Sequence, residues 1–574
     1  MSDYLIIVAI ATVIIICTSI SRNFQRKKKL RKVIQDSWGV LPENSFDEYD
    51  YKSFSQIYSF SKLNGSEMVI DDITWNDLEM DRFYSLISST MTSMGDNVLY
   101  YLLRTPLYDK DRFFDRLETV DYWAENRDDR EKAQVVLANF GKFRPSRIDV
   151  LIDKCDFLKL RNQWMFKLLT FVPILALPLC LFGIGYGVLW IIFSLGINAL
   201  YHESKVKEIH LGLEAVTQAE RIVTLAKKLY KNKPFGLNKK YESLKTQYKK
   251  LKPILRKGSL NSVLVGFTGN MGIDILSLFN MVFLVDLWAY QSSIKFIESH
   301  HEDFACLIEV IGEIDATLSI ASYRAYLSDE KNNAICCKPD ILWNTTSHDF
   351  NICAEDVMHP LIKECIPNPI YSTKPILVTG SNASGKSTYL KTIVINTLMA
   401  HTMGFCLAKK WVSKPLFPIT SMALRDSVIN GESYFIAEIK SLKRIFSMVN
   451  SDLTCLCVID EVLRGTNTVE RIAASSQLLY ALANKNTCIF AATHDIELTY
   501  ILSDVFANKH FEEIISDDDI KFDYTIKDGK AKSRNAIKLL KIMGFSEDVI
   551  KKANSAVEAF EQQNRWTKLE GDYK

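Results

Sequence analysis

Apolar residues recur at three- and four-residue spacing through residues 33–165 and 202–330, with few turn signals between them. Stretches such as "FFDRLETVDYWAENRDDREKAQVVLANF" and "SHHEDFACLIEVIGEIDATLSIASYRAYL" place those positions on one helical face, which predicts an all-α region. Polar and proline punctuation over 338–374 marks a boundary. Beyond it, short β-rich runs ("KPILVTG", "TCLCVID", "NTCIFAATHD") alternate with helical ones, the pattern of an α/β domain with a mostly parallel sheet. No internal repeat or low-complexity tract interrupts this plan.

Three apolar runs fit neither pattern. The first, Tyr4 to about Ile20, is followed by seven basic residues between Arg22 and Lys32. A secretory signal would carry its charge ahead of the apolar core. The positive-inside rule therefore puts the N-terminus outside and the rest of the chain in the cytosol, and roughly 17 residues just suffice to span. A cleaved or interfacial segment is the alternative. The second run, Leu168–Tyr201, contains no charged residue. As one helix it would extend roughly 50 Å, against a hydrocarbon core of about 30 Å, so a membrane hairpin fits better, with "GIGYG" (183–187) as its turn. Two buried helices of a large α domain are the alternative. The third, 262–290, is interrupted by Asp274 and Asp286, charges that need partners inside a membrane. It reads as a buried core helix, with a third membrane element as the alternative.

Composition changes this picture little. The 574 residues carry a net charge of +2, so no global field favours nucleic acid or anionic lipid, and any basic surface is local. The basic run 228–257, with tyrosines interleaved, is the candidate phosphate-tracking surface; a solvated helical face is its alternative. Twelve scattered cysteines form no C-x-x-C pair, which argues against a zinc site or a disulfide framework and suits a reducing cytosol.

The chemistry lies in the α/β part. Gly380-Ser381-Asn382-Ala383-Ser384-Gly385-Lys386-Ser387 satisfies G-x-x-x-x-G-K-[ST] between a strand and a helix, with Thr388 following. The glycines let backbone N–H groups curl around phosphate, and the helix adds its positive end. Lys386 is placed for the β- and γ-phosphates and the Ser387 hydroxyl for Mg²⁺. "LTCLCVIDE" ends in Asp460, suited to the Mg²⁺ shell, and Glu461, suited to polarising an attacking water. "CIFAATHD" brings His494 to a third strand end, placed to sense the γ-phosphate. Together these predict Mg-ATP hydrolysis in one crevice at the carboxyl edge of the sheet.

"VTGSNASGKSTYLKT", "DSVINGESYFIAEIKSLKRIF", "IDEVLRGTNTVERIAAS" and "ATHDIELT" occur in the order and spacing of the MutS family's ATPase domain. Residues 524–553 are similar to that domain's closing segment, 358–370 to the stretch before its phosphate loop, and 89–123 to the start of the family's helical core-and-lever region. The resemblance covers about 70–560. It implies an ABC-type P-loop NTPase acting as a homodimer, each ATP closed from both sides. On that resemblance Ser433 of "NGESYF" caps the γ-phosphate of the opposite subunit, an ordinary helix cap being its alternative. Asn467 and Thr468 fall in the loop that crosses the dimer interface, and Asn382 matches the family's asparagine. Ile366 and Tyr524 sit where the family contacts adenine, with a plain core role the alternative for Tyr524.

The chain also departs from the family. Leu463 and Arg471 stand where most members carry glycine, so the local backbone is expected to differ. The mismatch-reading module, which presents a Phe-x-Glu wedge to the minor groove, has no room between the first apolar run and the helical region. Phe46-Asp47-Glu48 and Phe511-Glu512-Glu513 both spell the triplet, as short patterns do by chance. With its apolar runs, the chain resembles a membrane-associated branch lacking that module. The expected layout is an anchor over 1–32, a helical region over 33–330 with the hairpin at about 168–201, an ATPase domain over 331–562 and a tail over 563–574. The expected place is the cell membrane, multi-pass. Two functions stay open: a tethered ATPase whose levers close on double-stranded DNA, or a mechanical ATPase acting on a membrane-protein partner without DNA.

Overall fold

The computed structural model describes residues 2–59, 68–144, 146–153, 158–160, 162–232, 234, 236–256, 283–343, 350–381, 384–422, 434–449, 453–464, 466–515, 520–531, 537, 540, 543–563, 565, 566 and 568. The chain divides into two compact units, Met1–Val69 with Asp81–Ala334, and Ile70–Met80 with Ile335–Lys574.

The first unit is helical. At its centre runs the helix His301–Leu327, whose Phe304, Leu307, Ile308, Ile311, Ile314 and Leu318 repeat at helical spacing and are all buried. Against it pack Ser93–Arg104, Lys110–Glu125 and Asn238–Leu251. The buried Asp315 accepts the Met91 N–H at 3.0 Å, the Thr92 N–H at 2.8 Å and the Thr92 hydroxyl at 2.7 Å, anchoring the start of Ser93–Arg104. Phe46 stacks edge-on against Tyr51 and Phe54 and packs near Tyr84, and Phe511 is buried, so neither Phe-x-Glu triplet offers a wedge.

The first apolar run begins the 36-residue helix Ser2–Ser37. The far end of this helix docks on Arg127–Phe140: Glu131 accepts from Arg31 Nε at 2.7 Å, Gln35 Nε2 at 2.9 Å and Arg127 Nε at 2.8 Å. Burial raises the Glu131 carboxyl, but hydrogen bonds from Arg127, Arg31 and Gln35 outweigh it and hold it at about 2. A depressed carboxylate contributes stability above its ordinary value and loses it as pH falls. Amide exchange over residues 27–37 should therefore accelerate on acidification from 4.5 towards about 2, and Glu131→Gln should remove most of that dependence. An acid profile unchanged by the substitution would contradict it.

Among the described residues two helical stretches are long and apolar enough to cross a membrane, Gln163–Phe182 and Ile184–Lys205. Gly183, at φ 142, breaks the chain between them. Side chains near the turn are open, with Leu181 87 % and Phe182 81 % exposed. The second arm continues without a break to Lys231, a 48-residue helix of roughly 72 Å at 1.5 Å per residue. At the base of the pair, Trp288 Nε1 donates to Thr170 Oγ1 at 3.0 Å, and Asp286 finds its partner in His202 Nε2 at 2.5 Å. Residues 262–282 of the third apolar run, with Asp274, lie outside the described residues.

The basic run 228–257 differs from a tyrosine-studded binding face. Tyr241, Leu244, Tyr248 and Leu251 lie on one side of Asn238–Leu251 and are buried. Lys240 is committed internally, 2.6 Å from Glu313 and 3.3 Å from Asp115. Spacing of three and four residues made those tyrosines core.

The second unit is α/β. A six-stranded sheet has the order β12-β9-β4-β8-β7-β6. Its strands are β4 (Ile376–Thr379), β6 (Leu416–Ser421), β7 (Thr454–Asp460), β8 (Thr487–Thr493), β9 (Ala507–His510) and β12 (Lys527–Asp528). All its pairs are parallel except β12 with β9. The continuous apolar burial of β4, β7 and β8 is what a sheet covered on both faces requires. A second sheet, ordered β1-β5-β2-β3, joins β1 (Asp340–Ile341), β2 (Ile352–Val357), β3 (Asn368–Ser372) and β5 (Lys410–Ser413). A small hairpin pairs β10 (Glu513–Ile515) with β11 (Ile520–Phe522).

Residues 70–80 belong to this unit although they precede it by more than 250 positions in the chain. Ile70, Trp75, Leu78 and Met80 are buried, and Asp77 Oδ2 accepts the Thr420 hydroxyl at 2.6 Å and the Met422 N–H at 3.0 Å. Arg444 pairs with Asp71, and Lys391 with Glu79 at 2.8 Å.

Candidate functional site

Three strand ends meet at the carboxyl edge of the six-stranded sheet, because β8 lies between β4 and β7. After β4 the chain turns through Gly380 at φ 143 and Gly385 at φ 102, both in the region that favours glycine, and enters the helix Lys386–Thr402. A Cβ on Gly380 would lie 2.9 Å from the Phe511 carbonyl oxygen. The loop stays tight for that reason.

Lys386 is buried and its ammonium donates to the carbonyl oxygens of Gly380 and, at 2.8 Å, Ser381, with His494 Nε2 at 3.3 Å. Burial pulls its amine down to about 8, opposed by the charges of Asp460, Glu461 and Glu513. Ser387 Oγ donates to Asp460 Oδ2 at 2.5 Å. Burial pushes the Asp460 carboxyl up, and the Ser387 bond opposes it. Asp460 Oδ1 is buried with no hydrogen-bond partner among the described residues, and so is Ser381 Oγ. Such orphaned atoms mark where a ligand would be satisfied.

Glu461 directly follows β7 with φ 56, and its N–H donates to the Ala492 carbonyl at 3.0 Å. Its two carboxylate oxygens face His494 Nε2 at 2.9 Å and Arg464 Nη1 at 3.0 Å. The His494 bond, ahead of the burial that opposes it, holds the Glu461 carboxyl below its ordinary range. Lys386, Ser387, Asp460, Glu461 and His494 thus form one connected set, with Gly380, Ser381, Ser384 and Gly385 in the loop around it and Thr388 in the first turn of the helix. Asn382, Ala383 and Ser433 lie outside the described residues.

Ile366 and Tyr524 line a cavity of about 460 Å³ that reaches Gly385, Ser387 and Thr388. Tyr524 adopts φ 50, a turn fixed by Asn368, whose amide donates to the Tyr524 carbonyl at 2.8 Å and accepts from Ile526 N–H at 2.8 Å. Asn467 caps the helix Thr468–Ala483 through the Glu470 N–H at 3.0 Å, and Thr468 begins it.

Leu463 has a φ of 59, in the left-handed region that favours glycine, and its side chain is buried. Arg471 instead sits in a regular helix and reaches Asp495. Asn368 and Asp495 escaped sequence reasoning because their partners Tyr524 and Arg471 are brought near only by folding, and Arg464, three residues after Glu461, carried no motif signal.

Among the described residues no group of three or more His, Cys, Asp or Glu side chains could hold a metal ion alone. The orphaned Asp460 Oδ1 beside Ser387 Oγ fits a Mg²⁺ that takes its other oxygens from water and phosphate.

Residues 376–561 match the family model MutS domain V. The chain is similar to the DNA mismatch repair protein MutS of Aquifex pyrophilus, 31 % identical over 264 residues, covering 44 % of this chain and 29 % of that protein. It is similar also to the MutS of Persephonella marina, 31 % identical over 276 residues, 46 % of this chain and 30 % of that one. The Streptococcus pyogenes serotype M1 protein is 30 % identical over 284 residues, 48 % and 32 % of the two chains. The match therefore spans under a third of these relatives' length. The part of the chain that carries the connected set of Lys386, Ser387, Asp460, Glu461 and His494 is thus the part that matches MutS domain V.

Proposed function

We propose that the chain is a membrane-associated MutS-type P-loop ATPase that binds and hydrolyses Mg-ATP in a composite homodimer site. The observation that carries this reading is the hydrogen-bonded set joining three strand ends, Lys386 and Ser387 after β4, Asp460 and Glu461 at β7, and His494 after β8.

In this reading the loop N–H groups around Gly380–Ser387 hold the phosphates, and Lys386 exchanges its carbonyl partners for phosphate oxygens. Ser387 Oγ and Asp460 would hold Mg²⁺, which when bound would supply charge neutralisation for the phosphates. Glu461 accepts a proton from the water that attacks the γ-phosphorus, as the bond to the bridging oxygen breaks and ADP leaves. His494 orients Glu461. The cavity beside Ile366 and Tyr524 takes the base.

The dimer has its own test. Ser433→Ala mixed with Lys386→Ala should recover measurable hydrolysis when each ATP is closed by the opposite subunit's Ser433. Absence of recovery in demonstrated mixed dimers would argue against shared sites.

Membrane association rests on the exposed apolar surface of Gln163–Phe182 and Ile184–Lys205, and the multi-pass arrangement with the N-terminus outside is part of the same proposal. The same proposal has the ATPase domain over 331–562 as the motor and the helical region over 33–330 as a lever. The first version has the levers act on double-stranded DNA. The second has them act on a membrane-protein partner, and the burial of Tyr241 and Tyr248 and the internal pairing of Lys240 favour it. Hydrolysis by detergent-solubilised protein, with and without homoduplex and mismatched DNA at physiological salt, separates the two. Stimulation supports the DNA version, and an unchanged rate beside basal hydrolysis supports the membrane version.

A further inference from the structure

A side chain outside the phosphate loop grips the residue that follows His494. Arg471 lies in the first turns of the helix Thr468–Ala483, and its Nε and Nη2 reach the two carboxylate oxygens of Asp495 at 2.8 and 2.6 Å. This two-pronged contact fixes angle as well as distance, which a single hydrogen bond or a lysine cannot do. Both side chains are largely shielded, 23 % and 12 % exposed.

Asp495 directly follows His494. Its N–H donates to Thr493 Oγ1 at 3.0 Å, and Thr493 is held in register with Thr379 of β4. Asp495 also stands at the N-cap of the helix Ile496–Ile501, yet its side chain makes no cap hydrogen bond there. The carboxylate faces Arg471 instead. The imidazole itself is 40 % exposed, so packing alone does not set its place between Glu461 and Lys386. Its backbone is pinned on one side by the β4–β8 ladder and on the other by the arginine clamp.

We propose that Arg471 is a positioning residue for hydrolysis, holding His494 through Asp495 so that the imidazole bridges Glu461 and Lys386. The proposal rests on the ATPase reading above. Where the family resemblance puts glycine, no such clamp can form, so this device belongs to the present chain. Because Arg471 shares a helix with the cap Asn467, the clamp also ties the loop ahead of that helix to His494.

The test is steady-state hydrolysis and nucleotide binding by the full chain carrying Arg471→Gln, Arg471→Lys, or the swapped pair Arg471→Asp with Asp495→Arg. Arg471→Gln should lower kcat by about 10- to 100-fold, the range for a misplaced catalytic group, with KM and ATP affinity within about twofold. Arg471→Lys should recover little, and the swapped pair should recover a substantial part. An unchanged kcat in Arg471→Gln beside an active parent protein would overturn the clamp while leaving the ATPase reading intact. A loss that follows a lowered Tm, with no recovery in the swapped pair, would reduce Arg471 to a structural role and also overturn it. A parent protein that neither binds nor hydrolyses Mg-ATP would remove both readings together.

Discussion

Glu461→Gln is expected to bind Mg-ATP with near-unchanged affinity while hydrolysis falls by about 10²- to 10⁴-fold, the usual contribution of a positioned general base. The amide keeps the size and one acceptor of the carboxylate, so His494 retains a neighbour. What it loses is the ability to take a proton. In the wild-type protein the His494 bond holds the Glu461 carboxyl below its ordinary range, which favours the ionised form that can take the proton. The trapped nucleotide should make the variant accumulate as a dimer on gel filtration with Mg-ATP. Wild-type turnover in this variant would remove Glu461 from the chemistry.

Lys386→Ala carries the other large effect. The ammonium is the buried charge nearest the loop carbonyls, and its loss should lower hydrolysis by at least about 10²- to 10³-fold, as for removal of one preorganised donor at a developing negative charge. ATP affinity should fall with it, in contrast to Glu461→Gln. The Gly380 and Ser381 carbonyls lose a donor too, a penalty of about 1–3 kcal/mol where water cannot replace it. Calorimetric binding beside a melting curve distinguishes loss of the site from loss of the fold. Unchanged binding and turnover in a folded variant would place the nucleotide elsewhere.

How much of this was legible in the sequence depended on how far apart the interacting residues lie. The phosphate loop, the acid pair and His494 each close a short apolar run, so strand, turn and chemistry could be read from contiguous residues. The break of the apolar hairpin was legible as well: "GIGYG" marked the turn, and Gly183 alone takes the conformation that makes it. Arg471 and Asp495, 24 positions apart, were not legible as a pair, because parallel strand order decides that their helices meet. Residues 70–80 read as one more stretch of helical region. Their partners at Thr420 and Arg444 lie more than 300 positions away, and only the fold unites them. The tyrosines of the basic run carry their own signal. Tyr241, Leu244, Tyr248 and Leu251 repeat at three- and four-residue spacing, the mark of a buried face rather than a binding one.

The most direct test is phosphate release from ATP by the purified 574-residue chain, with Mg²⁺ and again with excess chelator. Turnover should require Mg²⁺ and disappear in Lys386→Ala. Folded protein that releases no phosphate with Mg²⁺ present, or a rate indifferent to both the metal and Lys386, would contradict it.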